Sequence, residues 1–267
     1  MNIAFYHAYL TEEVGAWLGV VLEQMKLMED CELFENLSEF HVTAVSRTQE
    51  DGNNFSDFIK LYYPNANVEI VINPFENDQT MLTDFDGLVE NNITETHTLK
   101  KLQKRASEVD ANILYFHTKA ITAFQRHVIG KQGEMNRFRT YCNWRHFLNW
   151  GVLEKWRLCV NLLKDYDCAG ANYGSNPVPH YSGTFWWSKS EHINQLPSLD
   201  ELDWYQNMKD ESSNGWFKYQ ASKRFADEMW IGAKKETTFA NVGKFVEEQN
   251  PANQYTPRKL YHDKAYA

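Results

Sequence analysis

The sequence predicts an α/β fold: a single domain with a mixed, mostly parallel central sheet flanked by helices. Three observations carry that expectation. Short β-rich apolar runs alternate with helix-spaced apolar residues through the first half of the chain, the pattern of strands paired in parallel through right-handed crossovers. The alternation breaks in the second half, which makes the sheet mixed. A length of 267 residues suits one large domain, or one with an appendage, and a hydrophobic content of 43% supplies a sizeable core.

The elements follow in order. Residues 2–9 (NIAFYHAY) form an apolar run and read as the first strand. Trp17, Val20, Val21, Leu22, Met25 and Met28 recur at helical spacing. Residues 40–45 (FHVTAV) alternate as a second strand, and 55–63 read as a helix that Pro64 stops. Residues 68–72 (VEIVI) are a third strand, ended by Asn73-Pro74, and 76–92 are polar with little pattern. A helix from about Thr94 spaces Leu99, Leu102, Ala106 and Val109 on one face, and 112–116 (NILYF) are the fourth strand. A long helix is expected over 143–163, with Trp144, Phe147, Leu148, Val152, Trp156, Cys159 and Leu163 packed on the sheet. Residues 167–173 (DCAGANY) read as a strand with a close backbone approach at Gly170. The polar stretch 198–214 reads as loop or short helices, and 225–233 as a helix. Residues 237–267, with Pro251 and Pro257, read as an irregular extension to a domain spanning 1–236.

Composition narrows the function. The formal charge is 27 − 36 = −9, which disfavours nucleic acid as a partner, because that affinity rests on Lys and Arg neutralising phosphates. Cys31, Cys142, Cys159 and Cys168 lack the CxxC spacing of a zinc site and read as thiols of a reducing compartment. The N-terminal residues carry no signal-peptide pattern, and no apolar run is long enough to span a membrane. A cytoplasmic protein is expected, with peripheral attachment to a membrane left open. Aromatic residues reach 15%, with nine Trp and fourteen Tyr, which line binding clefts or fill a bulky core equally well.

Six short segments can carry chemistry. Ligands of open α/β sheets sit beyond the carboxyl ends of the strands, and two such ends here are polar: Tyr6-His7 after the first strand and His117-Thr118-Lys119 after the fourth. Lys119 can neutralise a diphosphate as a point charge, and His117 can donate to a phosphate oxygen or bind a metal; a solvated lysine and a strand cap fit the same residues. Asp84-Phe85-Asp86 is a DxD that could hold Mg²⁺ or Mn²⁺, or simply be a solvated loop. In residues 224–230 (RFADEMW), Arg224 shares a helix face with Asp227 and Glu228; either carboxylate could act as a general base, or form an ion pair. Trp144-Arg145 lies near the start of the long helix, where Arg145 could reach an anion or be structural. The last segment, 180–187 (HYSGTFWW), is either an aromatic core strand or a sugar-binding wall.

In this order the segments resemble a group of bacterial and viral glycosyltransferase-like proteins with a nucleotide-sugar fold of the GT-A (Rossmann-like) type and, more distantly, a chlorella-virus capsid glycosyltransferase. The family pattern is Y-[IF]-H-[ST]-K-G at a strand end, W-R on a helix, H-[FY]-S-G-N-[FY]-W-W, and R-x-x-x-E-x-W. It is met by Tyr115 to Lys119, Trp144-Arg145, His180 to Trp187 and Arg224/Glu228/Trp230, with Glu95 and Thr98-Leu99 fitting the helix before the HTK strand. The resemblance covers roughly residues 95–232. Two positions depart from it: Ala120 stands in place of Gly, and Thr184 in place of an Asn whose amide could read a sugar hydroxyl.

The resemblance implies a hexosyltransferase of unstated stereochemistry, serving polysaccharide synthesis. Residues 1–120 would form its nucleotide half and 121–236 its acceptor half. Its partners would be a nucleoside diphosphate sugar as donor and a carbohydrate acceptor. Tyr6, His7, His117, Thr118, Lys119 and Arg224 are the expected nucleotide and diphosphate contacts. Glu228 or Asp227 is the expected base. His180, Ser182, Gly183, Trp186 and Trp187 are the expected sugar contacts, with one of the two tryptophans in the core and one at the cleft. HTK falls where the fold's metal-binding DxD usually sits, so Lys119 and His117 would do electrostatically what a metal does elsewhere; Mn²⁺ or Mg²⁺, if used, would be held by Asp84 and Asp86. The alternative is a catalytically inactive carbohydrate-binding protein on the same scaffold. A phosphotransferase is disfavoured by the lack of a GxxxxGK[ST] loop.

Overall fold

The computed structural model describes residues 1–10, 14–73, 95–119, 121, 135–175, 179–200 and 223–243, with the backbone alone at 14–16, 135–139 and 223–225. The strands are β1 (Asn2–Tyr9), β2 (Glu39–Ser46), β3 (Asn67–Ile72), β4 (Asn112–His117), β5 (Cys168–Ala171), β6 (Tyr173–Gly174), β7 (His180–Tyr181), β8 (Trp186–Lys189) and β9 (Phe239–Gly243). The helices are α1 (Val14–Asp30), α2 (Gln49–Tyr62), α3 (Thr96–Ala106), α4 (Met135–Asn149), α5 (Trp156–Leu162), α6 (Ser190–Ile193) and α7 (Lys223–Met229). Among the described residues no helix is long and apolar enough to cross a membrane.

Seven strands form one sheet in the order β3-β2-β1-β4-β8-β5-β9, while β6 and β7 pair separately. The β1/β2, β1/β4, β2/β3 and β5/β9 pairs are parallel, and β8 runs antiparallel between β4 and β5. The first three strands therefore step outward from β1 before the chain crosses back to place β4 on its other side. The strand order reverses between β1 and β4, and their carboxyl ends form the topological switch point of the sheet.

Period-two alternation along the strands divides the core. Ala4, Tyr6 and Ala8 of β1 and Leu114 and Phe116 of β4 pack beneath α1, α2, α4 and α5. Ile3, Phe5, Ile113 and Tyr115 pack on the opposite face with Leu99, Leu102 and Ala106 of α3 and with Trp230. Burial on both faces is why β1 and β4 read as almost unbroken apolar runs.

Three expectations about elements change. The long helix begins earlier, at Met135, and is interrupted by a π-helical segment, Trp150–Glu154, before α5 begins. Trp150, Val152 and Leu153 continue the apolar stripe through the break, so spacing alone does not reveal it. The strand expected over 167–173 divides into β5 and β6 at Asn172, whose φ is 64°. Residues expected to be irregular supply β9, which pairs with β5, so the sheet runs past residue 236. The close approach expected at Gly170 is present: a Cβ there would lie 2.9 Å from the Phe185 carbonyl oxygen.

Candidate functional site

The carboxyl ends of β1 and β4 are bound together through Thr118. Its amide donates to the His7 carbonyl at 3.1 Å, and its hydroxyl accepts from the Tyr9 amide at 2.9 Å. The Lys119 amide turns back to the His117 carbonyl at 2.8 Å. This tight turn carries the Lys119 ammonium over the Trp144 ring, 4.3 Å from its centroid, within cation–π range.

The turn that links β7 to β8 lies beside it. The Thr184 amide donates to the Tyr181 carbonyl at 2.9 Å, with Gly183 at φ 98° and Thr184 at φ 61°. Gly183 is held at both ends. His117 Nε2 lies 2.8 Å from its carbonyl oxygen, and its amide donates to Glu228 Oε1 at 2.8 Å. A Cβ on Gly183 would stand 2.6 Å from Leu148 Cδ1 and 3.3 Å from Trp144 Cζ2. The segments that the sequence marks out at 117–119, 144–145, 180–187 and 228 therefore meet at one place.

A polar layer lies on the α3 side of that place. His7 Nδ1 is 2.8 Å from the Thr98 hydroxyl, and the Tyr115 hydroxyl donates to Glu95 Oε2 at 2.9 Å. Glu95 Oε1 stands 3.8 Å from His117 Nε2. Burial pulls the His7 pKa down to about 4, so its imidazole is neutral near pH 7. Burial, then the Glu95 charge, pushes the Tyr115 phenol well up.

Several expected contacts are placed elsewhere. Tyr6 lies inside β1, not at its end, and is fully buried against Phe116 with its hydroxyl on Gln24. Asp227 is buried, and its two oxygens accept from the Thr96 hydroxyl and amide at 2.7 to 3.1 Å. It caps α3, which leaves it poorly placed to serve as a base. Trp186 and Trp187 do point to opposite faces, but both are in core. Trp187 donates to the Val152 carbonyl at 2.8 Å in one cluster, and Trp186 packs 5.4 Å from the Tyr115 ring in the other. Neither offers a face for a sugar to stack on. His180 and Ser182 are joined by a 2.9 Å hydrogen bond between Nε2 and Oγ, with Ser182 half-buried. Asp84, Asp86 and Ala120, and the side chain of Arg224, lie outside the described residues.

Sequence reasoning missed the support beneath this site. Glu23 of α1 accepts from Arg145 Nη2 at 2.8 Å, from Asn149 Nδ2 at 2.8 Å, and lies 3.2 Å from His146 Nε2. Burial opposes its charge, but the bonds from His146 and Arg145 win and hold its carboxyl at about 2. Gln24 is fully buried and bonded to Tyr6, His117 and Asn149. The signal available was two polar residues side by side within the apolar spacing of α1. Among the described residues, no group of three or more His, Cys, Asp or Glu is placed to hold a metal ion. The four cysteines are free thiols. Compared with protein-family models and with curated proteins, the chain matches none of them.

Proposed function

We propose that the protein transfers a sugar from a nucleoside diphosphate sugar to a hydroxyl acceptor on a glycan, a polysaccharide or a lipid-linked sugar. The observation that carries this reading is the meeting of a cation, an imidazole and a carboxylate around Gly183. They come from positions 119, 117 and 228, and they gather at the switch point of the sheet, where open α/β sheets bind their ligands.

In the proposed reaction the acceptor oxygen attacks the anomeric carbon, and the bond from that carbon to the diphosphate oxygen breaks. The electron pair of that bond leaves with the diphosphate, which needs fixed positive charge nearby. Lys119 supplies it, with the amide-tethered end of β4 limiting its travel. The acceptor proton passes to a carboxylate, for which Glu228 is the candidate. Its Oε1 holds the Gly183 amide, so base and turn move as a unit. Donation from His117 to the Gly183 carbonyl sets the Nε2–H tautomer. The alternative, a carbohydrate binder without catalysis, has less support, because both tryptophans of the would-be sugar wall are buried.

A thermal-shift screen against nucleotides and nucleotide sugars, with and without Mn²⁺, tests the reading. A nucleoside diphosphate sugar should raise the melting temperature by mass action, and free nucleotide should then accumulate. Stabilisation by sugars alone, with no response to any nucleotide, would favour the binder.

A further inference from the structure

The HTK turn is held from below by side chains that the proposed reaction does not use. Gln24 is fully buried between α1 and the sheet, among the apolar residues that cover it. Its Oε1 accepts from the Tyr6 hydroxyl at 2.7 Å, and its Nε2 donates to the His117 carbonyl at 3.0 Å and to Asn149 Oδ1 at 3.1 Å. Arg145, also buried, forks onto Glu23 through Nε at 3.3 Å and Nη2 at 2.8 Å. Its remaining arm, Nη1, donates to the Lys119 carbonyl at 3.4 Å. The two carbonyls on either side of Thr118 are thus each taken by a different buried donor.

A buried arginine paired with the half-buried Glu23, and a buried amide, are weak contributors to stability, because desolvation offsets most of what their bonds return. Apolar side chains would fill the same interface. What these groups supply instead is direction: Gln24 fixes where β4 ends, and Arg145 fixes where the next carbonyl points. Between them the Lys119 backbone has one course, and its ammonium arrives over Trp144.

We infer that Gln24 and Arg145 are positioning residues for Lys119, holding the anion-binding cation of the site through the His117 and Lys119 carbonyls. The anion is the diphosphate of the donor, and this step rests on the glycosyl-transfer reading. The position of Lys119 can be measured without any nucleotide, so the two ideas fail separately.

The test compares the wild-type chain with Gln24→Met, which keeps the volume and removes the bonds, and with Arg145→Lys. Lysine acetylation by an activated ester, followed by mass spectrometry, reports access to Lys119. Alkylation of Cys168, fully buried in β5, reports general loosening. Each variant should raise Lys119 labelling about fivefold or more while Cys168 stays protected. Calorimetry with inorganic pyrophosphate and with UDP should show a matching loss of affinity. Unchanged Lys119 labelling in a folded variant, or labelling that rises only together with Cys168, overturns the inference. If the wild type binds neither pyrophosphate nor UDP, the glycosyl-transfer reading is what falls, and the labelling still decides whether Gln24 and Arg145 place Lys119.

Discussion

Replacing Gly183 by alanine puts a methyl group where the HTK turn, α4 and α7 come together. The added Cβ would lie 2.6 Å from Leu148 Cδ1 and 3.3 Å from Trp144 Cζ2, on a backbone at φ 98°. A side chain at such a φ costs about 1–3 kcal/mol, and forcing a methyl into packed neighbours costs a further ~1–3 kcal/mol. The two overlap, since one shift of the turn relieves both, so about 2–5 kcal/mol is expected. At about 2–4 °C per kcal/mol for a chain of this size, Gly183→Ala should melt roughly 5–15 °C lower. Gly19→Ala is the matched control. A Cβ at Gly19 in α1 meets nothing within 4 Å, and alanine there should gain about 0.5–1 kcal/mol. Differential scanning fluorimetry of both variants decides the matter. If Gly183→Ala melts within about 1 °C of wild type, or if both variants shift in the same direction, the close contact around Gly183 is not what holds the turn.

Thr184 is a β-branched residue at φ 61°, so Thr184→Asn should raise stability by about 1 kcal/mol in urea unfolding; no gain would mean the turn relaxes in solution. Glu228→Gln keeps an acceptor for the Gly183 amide, so it should fold normally yet lose about 10²–10⁴-fold in sugar transfer; an unchanged rate removes Glu228 from the role of base. Trp187→Phe leaves the Val152 carbonyl without its 2.8 Å donor and should cost about 1–3 kcal/mol by chemical denaturation. Two of the groups that contribute to the acid limb of stability are His7 and Glu23. His7 takes its proton only near 4 in the fold but near 6.5 when unfolded, so stability falls as pH drops from 6.5 toward 4. Glu23, lowered from 4.5 to about 2, contributes above 4.5 and loses that contribution toward 2. His7→Gln should lessen the slope of the first interval and leave the second, which unfolding curves across pH would show; His97 and His192, also lowered by burial, keep part of the first slope.

The strands legible in the sequence are the longer β-rich runs, among them the half-buried β3. β1 and β4 sit at the centre of the seven-stranded sheet, and both of their faces are apolar because both are covered. β9 escaped detection because three of its five residues, Ala240, Asn241 and Gly243, are polar or small, and no turn signal flanks it. It is a strand because β5 offers it an edge, which is a tertiary fact. The π-helical break at 150–154 escaped for the opposite reason: its residues are as apolar as the helix on either side. Within the site, Lys119, His117 and Glu228 were legible as residue types at strand and helix ends. The bonds that hold them run through Gly183, Gln24 and Arg145, and no spacing rule links positions 24, 117 and 145.

The motif at 180–187 shows how composition and position can point in different directions. Its aromatics suggested a surface for a sugar, and its alternation suggested that only one tryptophan could serve. In the structure the alternation holds and the surface does not: each tryptophan enters a core, one on either side of the sheet. The working part is the small residue in the turn that precedes them. Gly183 has no Cβ to obstruct Leu148, a φ that side chains avoid, and main-chain groups that join His117 to Glu228. The same geometry bears on Thr184. The family pattern resembled by this motif has Asn there, which could be taken as an amide for reading sugar hydroxyls. A φ of 61° with the residue buried gives another reason, since Asn is the side chain that tolerates left-handed backbone best after glycine. On that reasoning the threonine costs stability at the turn and leaves the chemistry of the site intact, so Thr184→Asn should stabilise the chain without changing its choice of donor.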